Sequence, residues 1–265
     1  MTPFSQWQAL KQHPVYVREK GGLGGKPNPY YDLLRRYSPL AIMGVIVLGI
    51  CGASSNPALY AGDEDLMIVW CLMCLPGMAL SALTLFGMLM VPALIAPSIS
   101  LERTQGTWDI LRMTPLSQRQ LVLAKMLGAL ARLRLLWWML FVVSLFQGMI
   151  MACSMTLASP AYALWGWLLG LGTVVRPWLE IIFAALVGMW SSLGLRSAMM
   201  ALVISYTAVL LLKLLNNSAV WALIFNALHR TDMILLTSTL LPTAVYTLAI
   251  LITAAALFVK LEDRV

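Results

Sequence analysis

Four stretches of the chain contain no Asp, Glu, Lys or Arg: 25 residues from Ser38 to Gly62, 36 from Leu66 to Leu101, 41 from Leu135 to Val175 and 27 from Met233 to Val259. Each exceeds the roughly 20 residues that carry a helix across the bilayer hydrocarbon, where a chain must satisfy its own backbone polar groups. Such runs exclude a typical globular enzyme and predict an all-α, polytopic membrane protein. Composition agrees, since 60% of the 265 residues are hydrophobic and only 11% are charged. The first 37 residues are polar and carry six cations, unlike a secretory signal, so no cleavage is expected.

The net charge of +7 is explained by where the cations lie. Six lie in residues 1–37 (Lys11, Arg18, Lys20, Lys26, Arg35, Arg36) and six between the second and third apolar runs (Arg103, Arg112, Arg119, Lys125, Arg132, Arg134). The positive-inside rule places both regions in the cytoplasm, whereas Ser54 to Leu66 has no cation and holds Asp63, Glu64 and Asp65, which suits the opposite side. Topology therefore accounts for the basicity, and no nucleic-acid partner is expected. Cys71 and Cys74 form a C-x-x-C, but with no histidine or carboxylate nearby in the span they read as small apolar residues rather than half a metal site.

Residues 1–27 read as a cytoplasmic tail ending in a flexible linker. Gly21 to Pro27 superficially resembles a phosphate loop, but Lys20 stands in the place of the first glycine of a Walker A pattern and Pro27 in the place of its hydroxyl residue. From Asn28, a helix is predicted with Asn28 as cap and Pro29 at its first position. Tyr30, Leu33, Leu34 and Tyr37 form a stripe beside Arg35 and Arg36, which suits an amphipathic helix in the cytoplasmic interface or a plain extension of the first span. Predicted spans follow at about 40–58 and 67–91, with Pro92 and Pro97 as the places for a kink or break that interrupts the long second run at its cytoplasmic end, and Pro76 bending the span itself. Ser117 and Gln120 match a capping box that starts a helix continuing into a third span, about 135–153. Further spans are predicted at about 178–195, 197–213 and 237–259. The stretch 161–175 is either external, re-entrant or a seventh crossing. Counting cations does not separate these readings, because six spans and seven both leave fifteen inside and three outside.

The segment Ile99-Ser-Leu-Glu-Arg-Thr-Gln-Gly-Thr-Trp-Asp-Ile-Leu-Arg-Met-Thr-Pro-Leu-Ser117, continuing to Lys125, resembles the cytoplasmic signature of type-2 ABC transporter permeases, E-[RK]-x-x-G-T-x-x-x-L-x-x-x-P-[LV]-S followed by Gly-Lys. The matching residues are Glu102, Arg103, Gly106, Thr107, Leu111, Pro115, Leu116, Ser117 and Lys125, with Ala124 where the family's glycine is usual. Gly188 to Ser197 is similar, more weakly, to the family's turn between spans 4 and 5. Only residues 99–125 are specific, although the order of spans is similar over 28–265.

The resemblance implies an exporter permease over residues 28–265, with six spans, both termini cytoplasmic and a place in the inner or plasma membrane. It also implies a second permease copy or a related partner, and two separate ATPase subunits that carry ATP and Mg. The segment 99–117 would dock on the ATPase as a coupling helix, through Glu102, Arg103, Gly106, Thr107, Trp108, Asp109, Leu111, Thr114 and Pro115. The residues themselves suit that role, since Trp108 and Leu111 fall on one face, flanked by charge, with Thr107 as a possible cap. The plain alternative is a solvated connector. Glu102 either pairs locally, with Arg103 or an arginine at the start of span 3, or reaches a partner's arginine.

No catalytic residue, metal site or cofactor of the chain's own is expected, as His13 and His229 both lie outside the spans. Arg176 and Glu180 read as an i, i+4 pair on the external side, or Glu180 faces a substrate path. The rival classes are a secondary transporter, which wants repeats and intramembrane charge, and a membrane-embedded enzyme or scaffold, for which Ser191, Ser192 and Ser205 lack partners. Met67, Met73, Met78, Met88 and Met90 along span 2 are either an adaptable lining for apolar cargo or ordinary packing.

Overall fold

The computed structural model describes residues 11–21, 29–37, 64–113, 117–158, 163–217 and 240–262, with a few isolated positions besides. Among the described residues all regular structure is helical: α1 (Pro14–Lys20), α2 (Glu64–Thr104), α3 (Thr107–Arg112), α4 (Gln118–Ala131), α5 (Arg134–Ala158), α6 (Ala163–Gly194), α7 (Ala198–Leu215) and α8 (Leu240–Glu262). Residues 29–37 are helical as well. Five helical stretches are long and apolar enough to cross a membrane: Pro76–Thr104, Arg134–Ser154, Ala163–Gly194, Ala198–Leu215 and Leu240–Leu261. The predicted first span, 40–58, lies outside the described residues apart from Met43, as do the side chains of Cys71 and Cys74.

Helix α6 is the centre of the bundle and packs against α2, α5, α7 and α8. It corrects the sequence reading. The stretch 161–175 does not form a crossing of its own, because its described part from residue 163 continues through Pro177 into the predicted span 178–195 as one helix of 32 residues. At 1.5 Å per residue that is about 48 Å, long enough for one crossing with a substantial extension. Pro177 is buried and has not divided it.

A second correction concerns α2, which runs unbroken through Pro76, Pro92 and Pro97. A proline inside a helix removes one hydrogen bond and frees the carbonyl a turn earlier, and in apolar surroundings the neighbours must satisfy what is freed. They do so here. The Tyr206 hydroxyl of α7 donates to Leu89 O at 2.7 Å, and Ile99 N–H donates to Ser192 Oγ of α6 at 3.0 Å. Ser98 Oγ donates to Ile95 O at 2.7 Å, and Ser191 Oγ to Gly188 O at 2.9 Å. Ser192 thus links α6 to α2, while Ser191 bonds within α6.

Ser117 caps α4 as the sequence predicts, its side chain accepting from Gln120 N–H while Gln120 reaches back to the Ser117 N–H. The helix does not run straight into the third span, however. It turns at Arg132 and Leu133 before α5 begins, and Leu130 O, left at the break, accepts from both Leu133 N at 3.0 Å and Trp137 Nε1 at 2.9 Å. Trp137 then stacks on Trp178 of α6, ring centroids 5.3 Å apart, tying the start of α5 to the centre of the bundle.

The crossing of α5 with α6 is tight enough to exclude a side chain from either helix. A Cβ on Gly170 of α6 would lie 2.6 Å from Gly148 O of α5, and one on Gly148 would lie 2.8 Å from Gly170 O. Backbone cannot yield as a side-chain tip can. Gly170→Val is expected to force α5 from α6 and destabilise the protein by about 1–3 kcal/mol, read as a lowered unfolding temperature in detergent. Gly77→Ala, whose Cβ would stand 3.4 Å from the Gln147 amide, is expected to leave it nearly unchanged.

Candidate functional site

The segment singled out by sequence lies where the ends of several helices meet. α2 ends at Thr104, and Gly106 then adopts φ +70°, a left-handed conformation that favours glycine, reversing the chain into α3. Gly106 itself occupies the cap position of α3, so Thr107 is its first helical residue, and its hydroxyl donates back to Glu102 O at 3.3 Å.

Both charged residues before this turn are anchored. Arg103 Nη1 donates to Leu193 O near the C-terminal end of α6 at 3.0 Å, and its guanidinium lies 5.7 Å from the Trp108 ring centroid. That cation over an aromatic face links the last turn of α2 to α3. The same pole gathers Lys260 of α8, whose ammonium is 4.4 Å from the Trp190 ring, and Arg119 of α4, 5.7 Å from the Phe258 ring.

Glu102 is buried, and its partners are not the arginines the sequence reading proposed. Its Oε1 accepts from Arg18 of α1, and Lys125 Nζ of α4 sits 2.7 Å from its Oε2, an ion pair by distance that lies outside hydrogen-bond direction. Lys125 also reaches Glu19 Oε1 at 3.3 Å, and Arg18 reaches the same oxygen at 3.1 Å. Two cations and two carboxylates therefore alternate around a closed ring. With 1% of its side chain exposed, Lys125 depends on those carboxylates, since an unpaired ammonium in such a place is strongly disfavoured.

Sequence reasoning missed α1 by treating residues 1–27 as a tail. The signal was present. His13 Nδ1 accepts from Val15 N–H as the N-cap, Pro14 occupies the first turn, and Gly21 closes the helix at φ +96°. Arg132 holds its C-terminal end, Nε donating to Glu19 O and Nη2 to Arg18 O at 3.3 Å, a cation where the helix carbonyls lack partners. Gly128 lets α1 approach, since a Cβ there would lie 2.7 Å from Glu19 Cβ and 3.0 Å from Tyr16 O.

Burial works against ionisation of Glu19, but the charges of Lys125 and Arg18 and the hydrogen bonds from both prevail, so its pKa lies below the ordinary value. Burial likewise opposes the charged form of Arg18, yet Glu19 and Glu102 raise its pKa.

The exposed face of α3 differs from the expected one. Trp108 is buried and Leu111 is partly buried against the core, whereas Ile110 is 67% and Met113 85% exposed. Tryptophan faces the protein, and Ile110 and Met113 face outward. The Asp109 side chain, Thr114 and Pro115 lie outside the described residues. In the helix over 29–37 the predicted stripe divides: Tyr30 and Leu34 pack against the cluster Ala93, Ala96, Ala201 and Leu202, while Leu33 and Tyr37 are exposed together with Arg35 and Arg36.

The Arg176–Glu180 pair forms as the i, i+4 spacing predicts, Nε to Oε1 at 2.9 Å, and Lys213 of α7 adds a second cation on Glu180 Oε2. Glu180 is 14 residues before Gly194, or about 21 Å along α6 from the pole that holds Glu102. No group of three or more His, Cys, Asp or Glu that could hold a metal ion occurs among the described residues.

No family model, curated protein or solved structure matches the chain.

Lys125→Ala is expected to leave Glu19 and Glu102 sharing Arg18 alone and to cost about 3–5 kcal/mol, as for a broken buried pair, measured by thermal unfolding of the detergent-solubilised protein. Because the Glu19 pKa is depressed on folding, its contribution is complete above the ordinary value of 4.5 and is lost as pH falls through the lower folded value. Amide exchange in α1, corrected for intrinsic rates, should stay slow from about pH 8 to 5 and accelerate only under more acid conditions.

Proposed function

We propose that the chain is the membrane-spanning permease subunit of an ATP-driven ABC transporter, an exporter, in which residues 99–117 transmit movement to and from a separate ATPase. The observation that carries this reading is the construction of α3: a short helix with a glycine turn, anchored at its base by Glu102 and Arg103, presenting Ile110 and Met113 outward. An apolar tip on a fixed base suits docking into a groove, where buried aliphatic anchors supply affinity and the surrounding polar groups supply orientation.

The gathering of Arg18, Arg103, Arg119, Lys125, Arg132 and Lys260 at one pole supports assigning that pole to the cytoplasm. With 40–58 as an additional crossing, this gives six spans and cytoplasmic termini in the cell membrane. ATP and Mg would be bound by two ATPase subunits, and a second permease copy or a related chain would complete the transport path. A secondary transporter would instead want an ionisable group that exchanges its ion or proton during transport. Glu180 is held by two cations, which favours a structural role for it.

The test is purification of the tagged, detergent-solubilised chain from its native membrane, together with any Walker A ATPase that it retains. Ile110→Asp with Met113→Asp is expected to weaken ATPase binding more than about tenfold, as loss of central apolar anchors does. Met139→Ala, in the exposed apolar face of α5, should leave it unchanged. Failure of the wild-type chain to retain a nucleotide-binding partner would overturn the reading.

A further inference from the structure

We infer that α1 is a positioning strut for the coupling segment: the Arg18–Glu19 pair interlocks with Glu102 and Lys125, so that the last turn of α2 transmits force to α3 only while α1 is seated. The inference rests on the function proposed above and adds to it an element outside the segment 99–117.

Glu102 lies four residues before Gly106, the point where the backbone reverses into α3. A turn with a glycine at its apex does not by itself set the direction of a helix of six residues. Its base is held by Arg103 on Leu193 O of α6 and by Glu102, which lies between Lys125 of α4 and Arg18 of α1. The first two contacts belong to the bundle. The Arg18 contact belongs to α1, which is separated from the bundle in sequence by residues 22–28.

The seat of α1 is specific. Lys125 lies under both carboxylates, Arg132 holds the last carbonyls of α1, and the absence of a side chain at Gly128 lets the two helices touch. A helix of seven residues is too short to persist alone in water. Folding and seating of α1 are therefore one event, and the charge ring closes or opens as a unit. When it opens, Glu102 keeps Lys125 but loses Arg18, and the base of α3 is held by one contact fewer.

Stimulation and affinity are measured on the unlabelled permease–ATPase complex in proteoliposomes, and label mobility separately on the permease without ATPase, with a spin label on Met113→Cys in a background in which Cys51, Cys71, Cys74 and Cys153 are replaced by serine. Arg18→Gln removes one ring member, and Gly128→Leu keeps all four charges but obstructs the seat. In both variants the label at 113 should become more mobile. Stimulation of ATP hydrolysis by the permease should fall about fivefold or more, the scale of a typical coupling energy, while ATPase affinity stays within twofold of wild type. Arg18→Lys should restore most of the stimulation.

A second construction guards against misfolding. In Glu19→Cys with Gly128→Cys, without the spin label, the two Cβ atoms are close enough for a disulfide after a small shift. Stimulation should be low under reduction and recover on oxidation, when the covalent link replaces the lost charge. Unchanged label mobility and stimulation in Arg18→Gln and Gly128→Leu would overturn the inference, as would loss of ATPase binding with an unchanged label, which would make α1 part of the docking surface. A wild-type chain that binds no ATPase would instead remove the functional reading, and label mobility would still report whether α1 holds α3.

Discussion

The interior of a bundle this apolar offers no water, so each polar group in it has to be satisfied by protein. The tightest expression of that constraint is Lys125, whose ammonium is enclosed and placed on Glu19 and Glu102 at once. Those two carboxylates come from α1 and α2, which are far apart in sequence. The lysine thereby joins three helices at one point, and Arg18 completes the ring from the other side. The same constraint acts on backbone in α2, where Tyr206 and Ser192 from neighbouring helices bond to the stretch around Pro92 and Pro97. Prolines that would end a helix in water are here accommodated within one.

Charge and apolar packing consequently have separate duties along the bundle. In the spans, close approach is achieved by removing side chains, as at Gly148 and Gly170, and by aromatic contacts such as Trp137 on Trp178 and Phe183 on Tyr246. At the pole that carries the α2–α3 turn, orientation is set by ion pairs, by cations on aromatic rings and by Arg103 and Arg132 on backbone carbonyls. Ion pairs of this kind contribute direction more than net stability, because much of their attraction repays desolvation. An arrangement whose purpose is to hold α3 at a given angle would use them in this way. The Arg176–Glu180–Lys213 group does a comparable job farther along α6, tying it to α7.

Much of the local structure was legible in the chain. The Ser117–Gln120 box and the Arg176–Glu180 spacing are local patterns that need only a few residues to specify them, and both form as read. The reading failed where distant residues decided the outcome. Pro92 and Pro97 suggest a break, but the helix continues through them in a stretch that distant residues hold, among them Tyr206, more than a hundred positions away. Trp108 and Leu111 do share a face of a short helix, but which face is turned to solvent depends on Arg103 and the core beside them, and it is Ile110 and Met113 that emerge. Glu102 was recognised as a residue in need of a partner, yet its partners lie on α1 and α4 and could not be chosen by proximity in sequence.

The sequence alone determined that this chain is helical and built for a membrane, because uncharged runs longer than a bilayer crossing leave the backbone no other way to bond in hydrocarbon. It also located its one distinctive polar segment between the second and third apolar runs. Tertiary structure decided the rest: that 163–194 is a single helix, that Pro14 to Lys20 folds onto α4, and that Glu102 is shared by Arg18 and Lys125. The physical reason is one of range. Helix formation and capping depend on neighbours within a few residues, whereas the pairing of buried charges depends on which helix ends meet, and only the packed bundle settles that.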